Sequence, residues 1–316
     1  MVTIPTTRGA TMNTLCIDFG GTEIKLGVLD GSRVLAATAL PNSGGSGDLD
    51  AVRAASAAMG AAFDAVAIAV PGVADRSTAS LVAAHGKYAW AHGLDLDAWS
   101  RRAFGVPAAV ENDARAALLG EVVHGCAAGA QDAVLVTLGT GIGTAALAGG
   151  ELLRGPHDHA GILGGHVTVD LDGPACTCGN VGCAEAAAST WALQRDAAAD
   201  PALADALRRE DGSAPGLREL IERRTAAAVA PVFDRYVRAW SAAVVAMCHA
   251  YDPEVVVVSG GALRAADVLL PRLTALVHAH LWSSSFRPPL LTPPEPEHSV
   301  LLGLSAASGR PRKDLP

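Results

Sequence analysis

One local unit constrains this chain more than any other: a strand, a glycine-rich turn and a second strand, found twice. The first copy is 14-TLCIDFGGTEIKLGVLD-30, where an apolar run of β-formers meets FGGT and then alternates apolar with polar. The second lies in 132-DAVLVTLGTGIGTAALAGGELLRG-155, with TLGTGIGT as its turn. The two turns are not identical. Their shared setting nevertheless predicts a duplicated α/β architecture of two halves with a cleft between them. A DG turn after the first copy extends it into a β-meander.

The rest of the chain fits two domains, which its 316 residues also suggest. Residues 48–63 are alanine-rich and helical, and AVAIAVPG (65–72) reads as a buried strand stopped by Pro71-Gly72. DLDAWSRRAFG (95–105) is an amphipathic helix ending on a glycine, and PAAVENDARAALLGEVVHG (107–125) turns from strand to helix at Asn112-Asp113. Residues 190–251 are mostly helical. EVVVVSGGAL (254–263) is a buried strand with a Gly-Gly turn, and VLLGLSAASG (300–309) reads as a closing helix. The expected domains are 1–114, with residues 1–12 as a loose tail, and 115–300, which carries the loop 159–189. The closing helix, over about 300–316, is a candidate to pack back on the first domain.

Composition narrows the function classes. Half the residues are apolar, but only 4% are aromatic, so alanine, valine and leucine must fill the cores. A net charge of −8, with no basic run, argues against a nucleic-acid partner. No apolar stretch reaches the ~18 residues of a membrane span, and the N-terminus has no export pattern. The expected location is the cytoplasm, where thiols stay reduced.

Four segments carry chemistry. FGGTEIK follows a strand bearing Asp18. Gly20 and Gly21 allow close approach of an anion to the backbone, Thr22 offers a hydroxyl and Lys25 a positive charge. A plain tight hairpin is the alternative. TLGTGIGT, with Gly139, Thr140 and Gly141, exposes further donors, and the two turns together suggest a pair of phosphate clamps. ENDARA places Asn112 and Asp113 where a strand ends and a helix begins. That position suits a catalytic group, Asp113 as a general base, and also suits ordinary helix capping. Finally, His166 lies ten residues before Cys176, with Cys178 and Cys183 following in 176-CTCGNVGCAE-185. One imidazole and three thiolates suit a closed, tetrahedral, structural zinc site, and Gly179 and Gly182 let the chain wrap a small ion. Three cysteines in a reducing compartment make a disulfide the weaker reading. Cys16 reads as a small hydrophobe, and His124, Cys126, Cys248 and His249 read as packing or surface residues.

These motifs, DFGGTEIK, the PG of AVPGVAD, ENDARAALLGE, TLGTGIGTA, SGGAL and the Cys-x-Cys-Gly-x-x-Gly-Cys-x-Glu run, make the chain similar to the ROK family (repressors, open reading frames and sugar kinases) over about residues 14–308. The resemblance implies the two-domain actin-like (ribonuclease H-like) ATPase fold and an ATP- and Mg²⁺-dependent carbohydrate kinase that is a cytoplasmic homodimer. It implies a first phosphate loop at Asp18, Gly20, Gly21 and Thr22, a second at Gly139, Thr140 and Gly141, and a nucleotide-side turn at Gly260 and Gly261. Asp113 matches the base and Asn112 a sugar-hydroxyl ligand, with Gly72 beside the substrate. His166 and Glu185 match sugar-facing groups held in place by Zn²⁺ on His166, Cys176, Cys178 and Cys183.

Two positions depart from the family pattern. Leu163 stands in 163-LGGH-166 where the family carries glutamate, and Lys87 of 87-KYAW-90 stands near a family asparagine. Both changes fall on the acceptor side, so glucose is a doubtful substrate, and a C7-cyclitol kinase is an alternative. A non-catalytic sugar-sensing protein is another. The repressors of the family carry an N-terminal winged helix-turn-helix, whereas the first phosphate-loop strand here begins near residue 14. Polyphosphate is an alternative donor.

Overall fold

The computed structural model describes residues 12–83 and 86–308. Residues 1–11 of the expected tail, the part of the closing helix beyond 308 and the side chain of Lys87 lie outside the described residues. Two compact units make up the chain: Met1–Gly120 with His298–Pro316, and Glu121–Glu297.

In the first unit, β1 (Thr14–Phe19), β2 (Glu23–Asp30) and β3 (Arg33–Pro41) form the expected meander, and β1 is buried along its whole length. β3 alternates between half-buried and exposed positions, as an edge strand with one wetted face should. The helix α1 (Gly47–Met59) stops short of the expected residue 63, because Gly60 turns into the left-handed region at φ 65° and donates its N–H to Ala57. The buried strand β4 (Ala65–Val70) leads into a hairpin of β5 (Val73–Asp75) and β6 (Ser80–Ala83), too short and irregular for the sequence to signal. A 3₁₀ turn at Gly86–Ala91 follows. Then α2 (Leu96–Phe104) begins where Asp95 accepts from the Ala98 amide and ends at left-handed Gly105. β7 (Ala108–Asn112) runs directly into α3 (Asp113–His124).

The second unit repeats the plan. β8 (Ala133–Leu138), β9 (Ile142–Ala148) and β10 (Glu151–Leu152) form an antiparallel meander. The loop carrying His166, Cys176, Cys178 and Cys183 follows, then α4 (Ala184–Ala188), α5 (Thr190–Ala199), α6 (Pro201–Ala206) and α7 (Leu217–Glu222). The long helix α8 (Ala230–Tyr251) buries Phe233, Tyr236, Val237, Trp240, Val244 and Met247 at helical spacing in the core of this unit. β11 (Val255–Ser259), α9 (Ala266–His280) and β12 (Leu290–Leu291) complete it.

The sheet orders are β3-β2-β1-β4-β7 and β10-β9-β8-β11-β12. In both, the meander is antiparallel and the two later strands add in parallel. The duplication suggested by two unlike turns is thus a full five-strand repeat. The closing helix α10 (Ser299–Ser308) belongs to the first unit, where Leu301 and Leu304 pack with Cys16, Leu29 and Ala67. It meets α3 at two glycines. A side chain on Gly120 or Gly303 would run into the facing backbone of Ser299 or Ala116.

Candidate active site and metal centre

In the first unit, the end of β1 places Asp18 opposite Lys25 of β2 in the ladder. Asp18 is buried, and burial together with the negative charge of Asp113 pushes its carboxyl up to about 7, with Lys25 pulling the other way. Asp113 opens α3 directly after the parallel strand β7, and its Oδ1 accepts from the Ala114 amide at 2.8 Å and from Asn112 Nδ2 at 3.1 Å. Burial lifts its carboxyl to about 6 against those hydrogen bonds. Asn112 also donates to the Gly72 carbonyl at 2.9 Å, while its Oδ1 receives the Arg115 amide. Gly72, at φ 95°, therefore acts through its carbonyl to orient Asn112, which in turn orients the Asp113 carboxylate.

The first glycine turn is held from outside. Gly20 donates its own N–H back to the Asp18 carbonyl, and its carbonyl accepts from Asn42 Nδ2 and from the Tyr88 hydroxyl, both at 2.8 Å. Asn42 Nδ2 also reaches the Tyr88 oxygen at 2.9 Å. Burial and the charges of Asp18, Asp48 and Asp113 raise the Tyr88 pKa, which keeps that hydroxyl protonated and donating. Gly21 and exposed Thr22 are left at the tip of the turn. Neither Asn42 nor Tyr88 was read from the sequence as a site residue. Their partners lie 22 and 68 residues away, and no spacing rule reaches that far.

In the second unit, the turn between β8 and β9 spends Gly139 N–H on the Gly141 carbonyl and Gly143 N–H on Thr137 Oγ1. Thr190, the first residue of α5, donates both its N–H (3.1 Å) and its Oγ1 (2.9 Å) to the Gly139 carbonyl. The Ile142 amide donates to Glu185 Oε2 at 2.8 Å, and Trp191 Nε1 donates to Glu185 Oε1 at 3.4 Å. Both oxygens of the expected sugar-facing carboxylate thus have partners within this unit. Gly260, at φ 95°, abuts the end of β8, and a Cβ there would lie 2.5 Å from the Leu138 carbonyl oxygen. Gly261 faces open space.

His166, Cys176, Cys178 and Cys183 converge so that their ligand atoms all lie within 4.8 Å of one another. Cys176 Sγ is 3.7 Å from His166 Nδ1, and Cys178 Sγ is 3.7 Å from Cys183 Sγ. Tetrahedral Zn–S bonds of about 2.3 Å put sulfurs about 3.8 Å apart, so the four donors fit a zinc-sized ion with no open position. All the cysteines are free thiols. Gly179 (φ 93°) and Gly182 (φ 67°) make the turns, and Gly182 packs so closely on the Asp170 carbonyl that a side chain would collide with it. Asn180 Nδ2 lies 3.5 Å from Cys183 Sγ and supports that ligand. With His166 Nδ1 facing the thiol, the ring's Nε2 is its other polar atom. Leu163 precedes the short 3₁₀ turn Gly164–His166 and its apolar side chain is 43% exposed.

Two sheets of the same five-strand order, each with a glycine turn after its first strand, define the actin-like ATPase fold. The chain belongs to the ROK family, whose model matches residues 14–308. It is 30% identical to a glucokinase of Thermotoga maritima over 289 residues, 85% of this chain and 88% of that one. It is 34% identical to a xylose repressor of Bacillus spizizenii over 128 residues, 40% of this chain and 32% of that one. Among solved structures it resembles a ROK family glucokinase from Streptomyces griseus in complex with glucose and AMPPNP, with a TM-score of 0.80, 30% identity and coverage of 93% and 98%. Among the described residues no helix is long and apolar enough to cross a membrane.

Proposed function

We propose that this protein is an ATP-dependent kinase that phosphorylates a hydroxyl of a sugar or sugar-like polyol. The observation that carries the reading is Asp113: a carboxylate at the end of a parallel strand, oriented by Asn112 and the Ala114 amide, with its pKa lifted toward neutrality by burial. In this reading Asp113 takes the proton of the acceptor hydroxyl as that oxygen attacks the γ-phosphorus of ATP, and ADP leaves. The tips of the two glycine turns, Gly21–Thr22 and Thr140–Gly141, supply amide and hydroxyl donors to phosphate oxygens. Asp18, a buried carboxylate beside the first turn, is a hard oxygen donor of the kind that holds Mg²⁺. Such an ion, when bound with ATP, supplies positive charge against the phosphates. The Cys₃His site suits Zn²⁺ in a structural role, since all four positions are filled by protein.

Asp113→Asn keeps the size of the side chain and removes the base. The expected result is a fall in kcat on the order of 10²–10⁴-fold, with nucleotide affinity nearly unchanged. In the wild type, the base works only when ionised, so kcat/KM should lose about tenfold per pH unit below about 6 and level off above it. A variant that keeps most of its turnover, or a wild-type profile flat to pH 5, defeats the assignment.

Exposed Leu163 favours an acceptor other than glucose. A site built to pair substrate hydroxyls rejects a poor match, since an unpaired polar group costs about 1–3 kcal/mol. An epimer, a ketose or a C7-cyclitol should outperform glucose and N-acetylmannosamine in a phosphoryl-transfer panel, and Leu163→Glu should raise kcat/KM for glucose. Efficient wild-type glucose turnover with no gain from the glutamate shows that this position does not set specificity.

A further inference from the structure

We infer that Glu111, held between Arg76 and Arg115, is a positioning residue for Asp113 and acts through Asn112. The inference rests on the kinase reading, in which Asp113 is the base; Glu111 itself takes no part in the proton transfer.

Glu111 is the next-to-last residue of β7, and its buried carboxylate joins three segments. Its Oε1 receives the amide of Asn112 at 2.9 Å and lies 4.0 Å from Nη1 of Arg115, in the first turn of α3. Its Oε2 lies 4.0 Å from Nε of Arg76, in the turn of the β5–β6 hairpin. That turn is itself braced: Asp75 Oδ1 accepts from the Ser77 amide and hydroxyl and from the Thr78 amide. Arg115 is only 1% exposed, and a guanidinium cannot shed its charge to suit such a place. A buried cation of this kind depends on a carboxylate beside it, and Glu111 provides one.

Asn112 links this network to Asp113. It is fixed at three points: its N–H donates to Glu111 Oε1, its Nδ2 donates to the Gly72 carbonyl, and its Oδ1 accepts from the Arg115 amide. Glu111 makes the first of these directly. By pairing with Arg76 it also ties down the hairpin that begins next to Gly72, the second point. From that position Asn112 Nδ2 reaches Asp113 Oδ1 at 3.1 Å. A base must face the hydroxyl it serves, and a misplacement of about 1 Å costs on the order of 10²-fold in rate. Charge matters here as well as shape. A neutral side chain of the same size would leave two guanidiniums near each other without the anion that separates them.

The test compares Glu111→Gln, Arg76→Ala and Arg76→Lys with wild type by acceptor turnover against pH, AMPPNP calorimetry and melting temperature. Glu111→Gln keeps an acceptor for the Asn112 amide but removes the charge. Its kcat should fall about 10- to 100-fold, with AMPPNP affinity within about twofold of wild type. The acid limb of kcat/KM, set by Asp113, should move upward from about 6, because the hydrogen bond from Asn112 is one of those holding that carboxyl down. Deleting a negative charge alone moves such a limb downward, so the direction separates lost positioning from simple electrostatics. Arg76→Ala breaks a pair that is half open to solvent and should cost about two- to fivefold in kcat, and Arg76→Lys should recover most of it. A Glu111→Gln variant with a lowered melting temperature but normal kcat and an unmoved acid limb shows a merely structural role and overturns the inference. An acid limb that moves down overturns it as well. If Glu111→Gln does not fold, full activity in Arg76→Ala overturns the inference, and a loss recovered by Arg76→Lys upholds it. Wild type that phosphorylates acceptor, with Glu111→Gln and Arg76→Ala matching it, refutes the positioning role alone. Wild type that binds no AMPPNP and phosphorylates no acceptor refutes the kinase reading and the inference with it.

Discussion

The two glycine turns occupy equivalent places in two copies of one sheet and are stiffened by different means. In each, the carbonyl of the first turn glycine is the anchor and the next two residues form the tip, exposed at Gly21, Thr22 and Thr140 and half-buried at Gly141. Gly20 is held by two side chains, Asn42 after β3 and Tyr88 in a 3₁₀ turn. Gly139 is held by the amide and hydroxyl of one residue, and the far end of its turn is held by Glu185, all at the junction of two helices that follows directly on Cys183. The lesson is that topology positions a glycine turn only roughly. Its final stiffness comes from hydrogen bonds to its carbonyls, and the source of those bonds differs freely between repeats. In the second unit the loop that carries His166, Cys176, Cys178 and Cys183 runs directly into α4, whose Glu185 accepts from the Ile142 amide of the turn.

The difference can be broken from either side, and the larger effect is expected in the second unit. Cys178→Ser removes one of the four proposed ligands. Purified wild type should hold about one zinc per chain and the variant far less, because closed sites contribute directly to folding free energy. A lower melting temperature, on the order of 10 °C for a loss of several kcal/mol, should come with weaker AMPPNP binding, since α4 and α5 start from that loop. A zinc-free variant as stable and as nucleotide-competent as wild type would detach the metal from the turn.

The smaller effect belongs to the first unit. Tyr88→Phe removes one of the two donors to Gly20 and leaves Asn42 in place. A neutral hydrogen bond contributes a net of about 1 kcal/mol, so AMPPNP affinity should fall by no more than about fivefold, with no change in metal content. A loss in Tyr88→Phe as large as that in Cys178→Ser would erase the proposed asymmetry between the two loops.

Much of the molecule was legible residue by residue. β1, β2, β4, β7, β8, β9 and β11 all lie where apolar runs or alternation placed them, and α2, α3 and α10 fall within a residue or two of expectation. The cluster of His166, Cys176, Cys178 and Cys183, whose ligand atoms converge in the structure, was readable because three thiols and an imidazole within eighteen residues have few other uses. Other elements left a weaker trace. The β5–β6 hairpin is short and poorly alternating, and β10 and β12 have two residues each, too few to show a period. α1 ended early at Gly60, a C-cap signal present in the sequence but read as helix interior.

What the sequence alone determined is therefore local: which segments are strands, where each turn needs glycine, which side chains suit a metal, and that Asn112-Asp113 ends a strand. Those features depend on interactions between near neighbours, whose physics is written in spacing and residue type. Only the tertiary structure decided the repeated strand order, because the parallel pairs β1–β4 and β8–β11 join segments separated by tens of residues or more. It also decided that Glu185 meets Ile142 across 43 residues, that Thr190 meets Gly139 across 51, and that Tyr88 meets Gly20 across 68. Hydrogen bonds of that reach exist only once the core of each unit has packed; in the second unit the buried α8 fixes the Ala188–Ser189 junction that brings Thr190 to Gly139.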